Sequence, residues 1–314
     1  MSAMEVQAPG LLTTVQDLGR PGFGPMGISP SGAADAISLR LGNLLVGNPA
    51  GAPGLEMTLL GGTFVFPDGA IGALAGSEFG ATLDGAPIQP WTSFEIDRGQ
   101  TLRAGPTQSG ARCYLCVSGG VAVKSFLGSA STHLLSGLGG FEGRPLKKGD
   151  IPPIGPEPAR PFRKRMVAPK ALAQLVPSKV LRVTPGPQRD WFPEPSQRLF
   201  YEANYRVAEE SDRMGLRLEG AALTAGSQRQ MISEGVPLGA VQVPASGQPI
   251  ILFVEQQTTG GYPKIANVIS ADLHRVGQLR PRDEIRFERC TMEQARSLLQ
   301  EQENLLSSSE LILE

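Results

Sequence analysis

Pro249-Ile250-Ile251-Leu252-Phe253-Val254-Glu255-Gln256-Gln257-Thr258-Thr259-Gly260-Gly261-Tyr262-Pro263-Lys264 joins an apolar run to a polar turn. The continuous apolar run Pro249–Val254 predicts a buried strand. Thr258-Thr259-Gly260-Gly261-Tyr262-Pro263 then predicts a tight backbone turn. Glycine permits positive φ and close approach of a ligand to the main chain. Two hydroxyls, a phenol and an ammonium next to such a turn suit recognition of a small polar group. A hairpin loop without a ligand is the alternative.

Outward from this stretch the same pattern recurs. In the second half, Tyr205–Ala208, Leu216–Leu218, Ala240–Val243, Asn267–Ser270 and Asp283–Phe287 read as strands that close a barrel. In the first half, the strand candidates are Met57–Phe66, Gly72–Ala75, Ala81–Leu83, Ser93–Ile96, Thr101–Ala104 and Ala111–Val117, with an Asp84-Gly85 hairpin turn. Gly (39) and Pro (27) together exceed a fifth of the 314 residues, without a repeating period, as expected of many tight turns. The fold class expected is mainly β with a few helices.

Two helices stand out. Ile37, Leu41, Leu44 and Leu45 follow helical spacing, with Ser29 or Ser31 as cap, Asp35 in the first turn and Gly47-Asn48-Pro49 as the stop. Met292–Leu306 predicts a terminal amphipathic helix opened by a Thr291/Gln294 capping box. Residues 156–179 are proline-rich and carry Arg160, Arg163, Lys164 and Arg165, which predicts a linker between domains over 1–155 and 180–314. The basic cluster reads as a solvated face, with phosphate contact as the alternative. At an offset of 177, Val6-Gln-Ala-Pro-Gly faces Val183-Thr-Pro-Gly-Pro, and Asp35–Leu41 faces Asp212–Leu218, a thin match that favours two copies of one fold.

Composition excludes several classes. A formal net charge of −1 gives no basic excess for nucleic acid. Cys113 and Cys116 lie three apart in a predicted strand and so point to opposite faces; buried thiols are expected rather than a metal or redox pair. No charged and apolar leader and no apolar run of membrane-spanning length is present, so a soluble cytoplasmic protein is expected. There is no phosphate-binding G-x-x-x-x-G-K-[ST], no G-x-S-x-G elbow and no biotin-carrying Met-Lys-Met, and His133 and His274 stand alone. Chemistry is left to carboxylates, Arg, Lys, Gln, Thr and backbone amides. Such groups occur at Gln16-Asp17-Leu18-Gly19-Arg20, at Asp35, at Asp212-Arg213, at Gln242 and in the opening stretch.

Taken in order, these segments resemble the biotin-dependent carboxyltransferase / allophanate hydrolase subunit 2 family, whose members include the C subunit of 5-oxoprolinase and the KipA protein. The resemblance rests on Thr13-Thr-Val-Gln-Asp-Leu-Gly-Arg, Ser31-Gly-Ala-Ala-Asp, Leu44-Leu-Val-Gly-Asn, Leu127-Gly-Ser-Ala-Ser-Thr and Gly139-Gly-Phe-Glu-Gly-Arg. It continues through Gly186-Pro-Gln, Ser211-Asp-Arg-Met-Gly-Leu-Arg-Leu, Gly239-Ala-Val-Gln-Val-Pro and Gln257-Thr-Thr-Gly-Gly-Tyr-Pro. It implies two tandem cyclophilin-like β-barrel domains. It also implies two separate partners. One is an allophanate hydrolase subunit 1-type protein, the B subunit of 5-oxoprolinase; the other is a LamB/YcsF-type protein, its A subunit.

The implied reaction opens 5-oxo-L-proline to L-glutamate with ATP hydrolysis, with ATP bound by this chain, by a partner or at their interface. The catalytic residues expected are Asp35, Arg213, Gln242 and Lys264: Asp35 and Gln242 to orient the amide, Arg213 and Lys264 to face negative oxygens. Arg20, Gln257, Thr258, Thr259, Gly260 and Tyr262 are expected to bind substrate; no metal is expected. Two readings stay beside this one: carboxyl transfer to urea or a related amide with a separate biotin carboxylase, and a KipA-type regulator that antagonises a kinase inhibitor. Glu255, where the family commonly has Asp, and Ala75, where Thr is expected, depart from the pattern.

Overall fold

The computed structural model describes residues 2–156, 162–175, 178–226 and 231–314. The chain divides into two units: residues 1–20, 31–176 and 305–314 form the first, and 21–30 with 177–304 the second.

The first unit holds two five-stranded sheets, all of whose pairings are antiparallel. One orders Glu5–Ala8, Thr63–Phe66, Gln100–Arg103, Thr82–Leu83 and Ala86–Pro87; the other orders Leu12–Gln16, Gly54–Thr58, Arg112–Val117, Ala70–Gly76 and Ser93–Ile96. Val15, Leu55, Met57, Phe64, Phe66 and Leu102 meet in one core. The strand Arg112–Val117 explains its own unbroken apolar sequence. Cys113, Leu115 and Val117 enter that core, while Tyr114 and Cys116 enter a second one beneath the helix Ala36–Leu45. The two thiols therefore occupy opposite faces, as the two-residue period requires, and all three cysteines are free and buried.

Local chemistry sets the boundaries. The Asp-Gly hairpin forms as expected, with Asp84 at φ 47° and Gly85 at φ 85° between paired strands. The run expected as one strand over Met57–Phe66 is two, Gly54–Thr58 and Thr63–Phe66, broken at Leu59 with φ 60°. The segment read as a linker is partly structured. Met166–Val167 pairs with Ile312–Leu313, and Pro169–Leu175 is a helix whose Ala171 and Leu175 join the second core. Proline is tolerated in a first helical turn, and apolar residues four apart give the helix a face to bury. Arg163 and Arg165 reach the carboxylate of Glu314 at 3.3 and 2.9 Å; Arg163 and Lys164 are exposed, as a solvated face requires, whereas Arg165 is only partly exposed, and Arg160 is outside the described residues.

The second unit is a closed seven-stranded barrel ordered Val180–Pro185, Lys264–Val268, Ala240–Gln242, Ile250–Leu252, Gly215–Gly220, Tyr205–Val207 and Glu284–Arg289. Its first and last strands close it in parallel, Val180 opposite Arg286. A helix not expected from sequence, Glu194–Glu202, packs on the closing strand, with Phe200 stacked on Phe287 at 4.4 Å. Thr291 and Gln294 do form the reciprocal capping box, at 2.9 and 3.2 Å. The helix they open, Met292–Leu306, lays Ala295, Leu298 and Leu299 on Ile269, Ala271 and Cys290. The internal match fails at its second segment. Asp35 precedes a helix, whereas Asp212 precedes the strand Gly215–Gly220, because Leu216 and Leu218 alternate with polar residues at period two.

The opening stretch bends sooner than its apolar run suggests. The strand ends at Leu252, and Gln256 N–H donates to Phe253 O at 2.9 Å to turn the chain. Thr259–Gly260 then pairs with Glu234–Gly235, and the next barrel strand starts at Lys264 rather than Asn267.

Candidate functional site

A cavity of about 500 Å³ opens in the second unit, with Asp212, Leu252, Gln242, Gln257 and Tyr262 in its lining. Gln242 ends a barrel strand and pairs with Lys264 across a bulge after Val241. Such a bulge re-aims the side chains beyond it. Gln242 is 1% exposed. Its Oε1 accepts a hydrogen bond from Gln257 Nε2 at 3.3 Å, and its own Nε2 meets no acceptor among the described residues. Gly260 lies close against this amide: a Cβ there would stand 2.6 Å from Gln242 Nε2.

Lys264 is buried on the neighbouring strand, and its Nζ bonds Glu234 Oε1. Gln188 joins the two, accepting from the Lys264 backbone N–H at 3.1 Å and donating from Nε2 to Glu234 Oε1 at 2.9 Å. The Lys264 and Gln188 hydrogen bonds hold the Glu234 carboxyl below its usual range. Arg213 faces Glu255, both buried, with Nε 2.5 Å from Oε1. Glu255 N–H also donates to Arg213 O at 2.8 Å, so the turn after Leu252 is fastened to the Asp212-Arg213 loop twice. That loop is itself an Asx turn, Asp212 Oδ1 accepting from Met214 N–H and Gly215 N–H at 2.8 and 3.1 Å.

Thr258 and Thr259 lie on the hairpin beside Glu234–Gly235, and Thr258 O accepts from Val236 N–H at 3.1 Å. The ring of Tyr262 is half exposed at the cavity.

Asp35 and Arg20 belong to the first unit. Asp35 is the N-cap of Ala36–Leu45, Oδ1 accepting from Ser38 N–H at 3.0 Å and Oδ2 from Ser38 Oγ at 2.6 Å. The cap is thus Asp35 and not Ser29 or Ser31; Ser31 Oγ instead donates to Thr132 O at 2.7 Å. Arg20 donates to Ser131 O and Phe126 O and lies 5.6 Å from the Phe126 ring centre. Beside it Asp17 is enclosed, accepting from Ser129 Oγ, Ser131 Oγ and Ala130 N–H at 2.5 to 2.6 Å. These bonds knot the 13–20 segment to the Leu127–Thr132 segment. Among the described residues no group of three His, Cys, Asp or Glu is placed to hold a metal ion, and no helix is long and apolar enough to cross a membrane.

Comparison with known proteins decides the family. The family described as carboxyltransferase domain, subdomain A and B, matches residues 26–289. The chain belongs to this carboxyltransferase family. Its relatives include the 5-oxoprolinase C subunit of Escherichia coli, 41% identical over 96% of this chain and 95% of that one. The 5-oxoprolinase C subunit of Haemophilus influenzae is 37% identical over 96% of each. Among solved structures, the urea amidolyase of K. lactis superposes with a TM-score of 0.90 at 32% identity, covering 99% of this chain and 21% of that one. The chain therefore spans about a fifth of that enzyme's length.

Within this carboxyltransferase-family chain, the second unit brings Gln242, Gln257 and Gly260 together, with Tyr262 at the cavity, whereas Lys264 pairs with Gln242 through the backbone and its Nζ bonds Glu234. Sequence reading missed Glu234 and left Gln188 and Glu255 without roles. Gln188 lies inside the family motif Gly186-Pro-Gln. Glu234 offers no local signal, because its partner Lys264 is thirty positions downstream and they meet only through the pairing of Glu234–Gly235 with Thr259–Gly260.

Proposed function

We propose that this chain is the C subunit of an ATP-dependent 5-oxoprolinase, which opens 5-oxo-L-proline to L-glutamate in the cytoplasm. Its partners would be the B subunit, of the allophanate hydrolase subunit 1 type, and the A subunit, of the LamB/YcsF type. One observation carries the reading. The 5-oxoprolinase C subunits match this chain over 95–96% of both lengths, whereas the Saccharomyces cerevisiae urea amidolyase is 34% identical over only 18% of its own length.

The chemistry fits the residues of the second unit. A lactam is a resonance-stabilised amide, so hydrolysis needs charge stabilised on its oxygen, and coupling to ATP hydrolysis supplies the driving force. Gln242 can orient the amide, Thr258 and Thr259 carry hydroxyl donors, and Lys264 supplies a buried positive charge. Arg213 acts through Glu255, fixing the turn that carries Gln257. The test mixes this chain with its two partners and follows 5-oxoproline-dependent ATP hydrolysis. Turnover above the partners alone is expected; none, with all three proteins shown folded, overturns the reading.

Carboxyl transfer is the second reading, favoured by the fit to the urea amidolyase and urea carboxylase structures of Kluyveromyces lactis, each with a TM-score of 0.90. It requires a biotin carboxylase and a biotin carrier, and carboxylation of urea in their presence would establish it.

A further inference from the structure

Gln242 carries an unbalanced amide. Its Oε1 accepts one long hydrogen bond, 3.3 Å from Gln257 Nε2, while its buried Nε2 has no acceptor among the described residues. An unmatched buried N–H costs about 1–3 kcal/mol, and a native fold that keeps one invites a ligand-based explanation. The group lies at a cavity of about 500 Å³. Gln257, also at this cavity, is only partly buried, whereas Gln242 is 1% exposed and held within the barrel.

A carboxamide offers its oxygen and one N–H along a single edge. Another amide whose N–H and C=O lie on the same side can meet both at once, as a closed pair of hydrogen bonds. Gln257 satisfies only one of the two. We propose that Gln242 reads the cis-amide edge of the substrate through this double hydrogen bond, and that Gln257 is a stand-in which the substrate displaces.

This inference rests on the lactam reading above. A five-membered lactam ring holds its amide cis, and urea presents the same edge. An open-chain secondary amide is trans, with N–H and C=O on opposite sides, and an N-methyl lactam has no N–H. Gly260 lies against the same two amides, where a Cβ would stand 2.6 Å from Gln242 Nε2 and 3.5 Å from Gln257 Nε2.

The test uses the full-length chain labelled with nitrogen-15. The side-chain amide signals of Gln242 and Gln257 are assigned by their loss in Gln242→Leu and Gln257→Ala. Each is then followed during titration with 2-pyrrolidinone, urea, N-methyl-2-pyrrolidinone and N-methylacetamide. The first two compounds are expected to move both signals. The last two should bind at least about tenfold more weakly, the effect of one unmatched buried hydrogen bond. Gln242→Leu should abolish the preference. Equal responses to all four compounds, or no response to any, would overturn the inference. Its failure is separable from that of the 5-oxoprolinase reading: turnover by the three-protein mixture would stand without discrimination by Gln242, and discrimination would stand without turnover.

Discussion

The buried ammonium of Lys264 is bonded to Glu234, a carboxylate whose side chain remains 46% exposed. Breaking a closed buried pair costs about 3–5 kcal/mol. Glu234→Gln keeps a polar partner but removes the charge facing a buried ammonium, so it is expected to cost about 1–3 kcal/mol, between the ranges of exposed and buried pairs. The pH dependence has a definite sign. Lys264 and Gln188 lower the folded-state pKa of Glu234 from its ordinary 4.5, so the stabilisation is present above that value. It is lost as pH falls through the folded value. Urea unfolding of the wild type and Glu234→Gln across the acid range should show the difference between them shrinking below pH 4.5.

Arg213 and Glu255 form a pair with both members buried, at 5% and 3% side-chain exposure. Arg213→Met leaves the buried Glu255 carboxylate without this cation and is expected to destabilise by about 3–5 kcal/mol. The double variant Arg213→Met/Glu255→Met should lose less than the sum of the two single changes, by about 1 kcal/mol or more, as expected for coupled contact residues. Denaturant melts of the four proteins give the coupling directly, and additive losses would show that the two side chains act independently.

In the first unit, Gly139 and Gly140 carry positive φ, 66° and 57°, where the chain crosses Ser131 and Thr132. A Cβ on Gly139 would lie 2.2 Å from Ser131 O, and one on Gly140 1.9 Å from Thr132 Oγ1. Either alanine change meets both strain and a close atom, so each should cost roughly 2 kcal/mol or more. Gly235→Ala is the control, since a Cβ there meets nothing within 4 Å. Thermal midpoints should separate the two classes clearly.

Asp35 holds both oxygens on Ser38 at the start of the first helix. Asp35→Ala should therefore cost about 1 kcal/mol, and Asp35→Asn or Asp35→Ser should restore most of it, because all three polar residues cap helices well. Equal losses for alanine and asparagine would mean that the charge, not the cap, is what matters there.

Periodic signals survived translation into structure. The terminal helix, the Asp84-Gly85 hairpin and the opposed thiols all rest on local rules, and each appears where those rules place it. What sequence hid was long-range. Val167 and Ala171 lie in a proline-rich stretch, and their burial depends on Leu306 and Leu311 far along the chain. The site behaves likewise. Gln242, Gln257 and Lys264 were legible as polar residues in motifs, but Glu234 acquires its role only when a two-residue strand pairs beside Gly260. Asp35 shows the reverse: a carboxylate in a family motif has an ordinary helix-capping role that the sequence assigned to nearby serines.

Burial dictates how the thiols behave. It pushes the Cys113 thiol from 9.0 up to about 12, and it pushes Cys116 further, with the nearby Cys113 adding to the effect. The thiolate is the nucleophile, so neither group should react with a disulfide reagent in the folded protein at about pH 8, below the ordinary thiol value, and both should react once the chain is unfolded. The raised folded value also fixes the alkaline behaviour. The stabilisation is fully present below the ordinary value of 9.0 and is lost as pH rises toward about 12, because the unfolded chain releases its proton first. Thermal midpoints should fall above pH 9, and Cys113→Ala should fall less steeply than the wild type. Fast labelling of Cys113 in the native state would show that the strand Arg112–Val117 opens, and would contradict its place in the core between the two sheets.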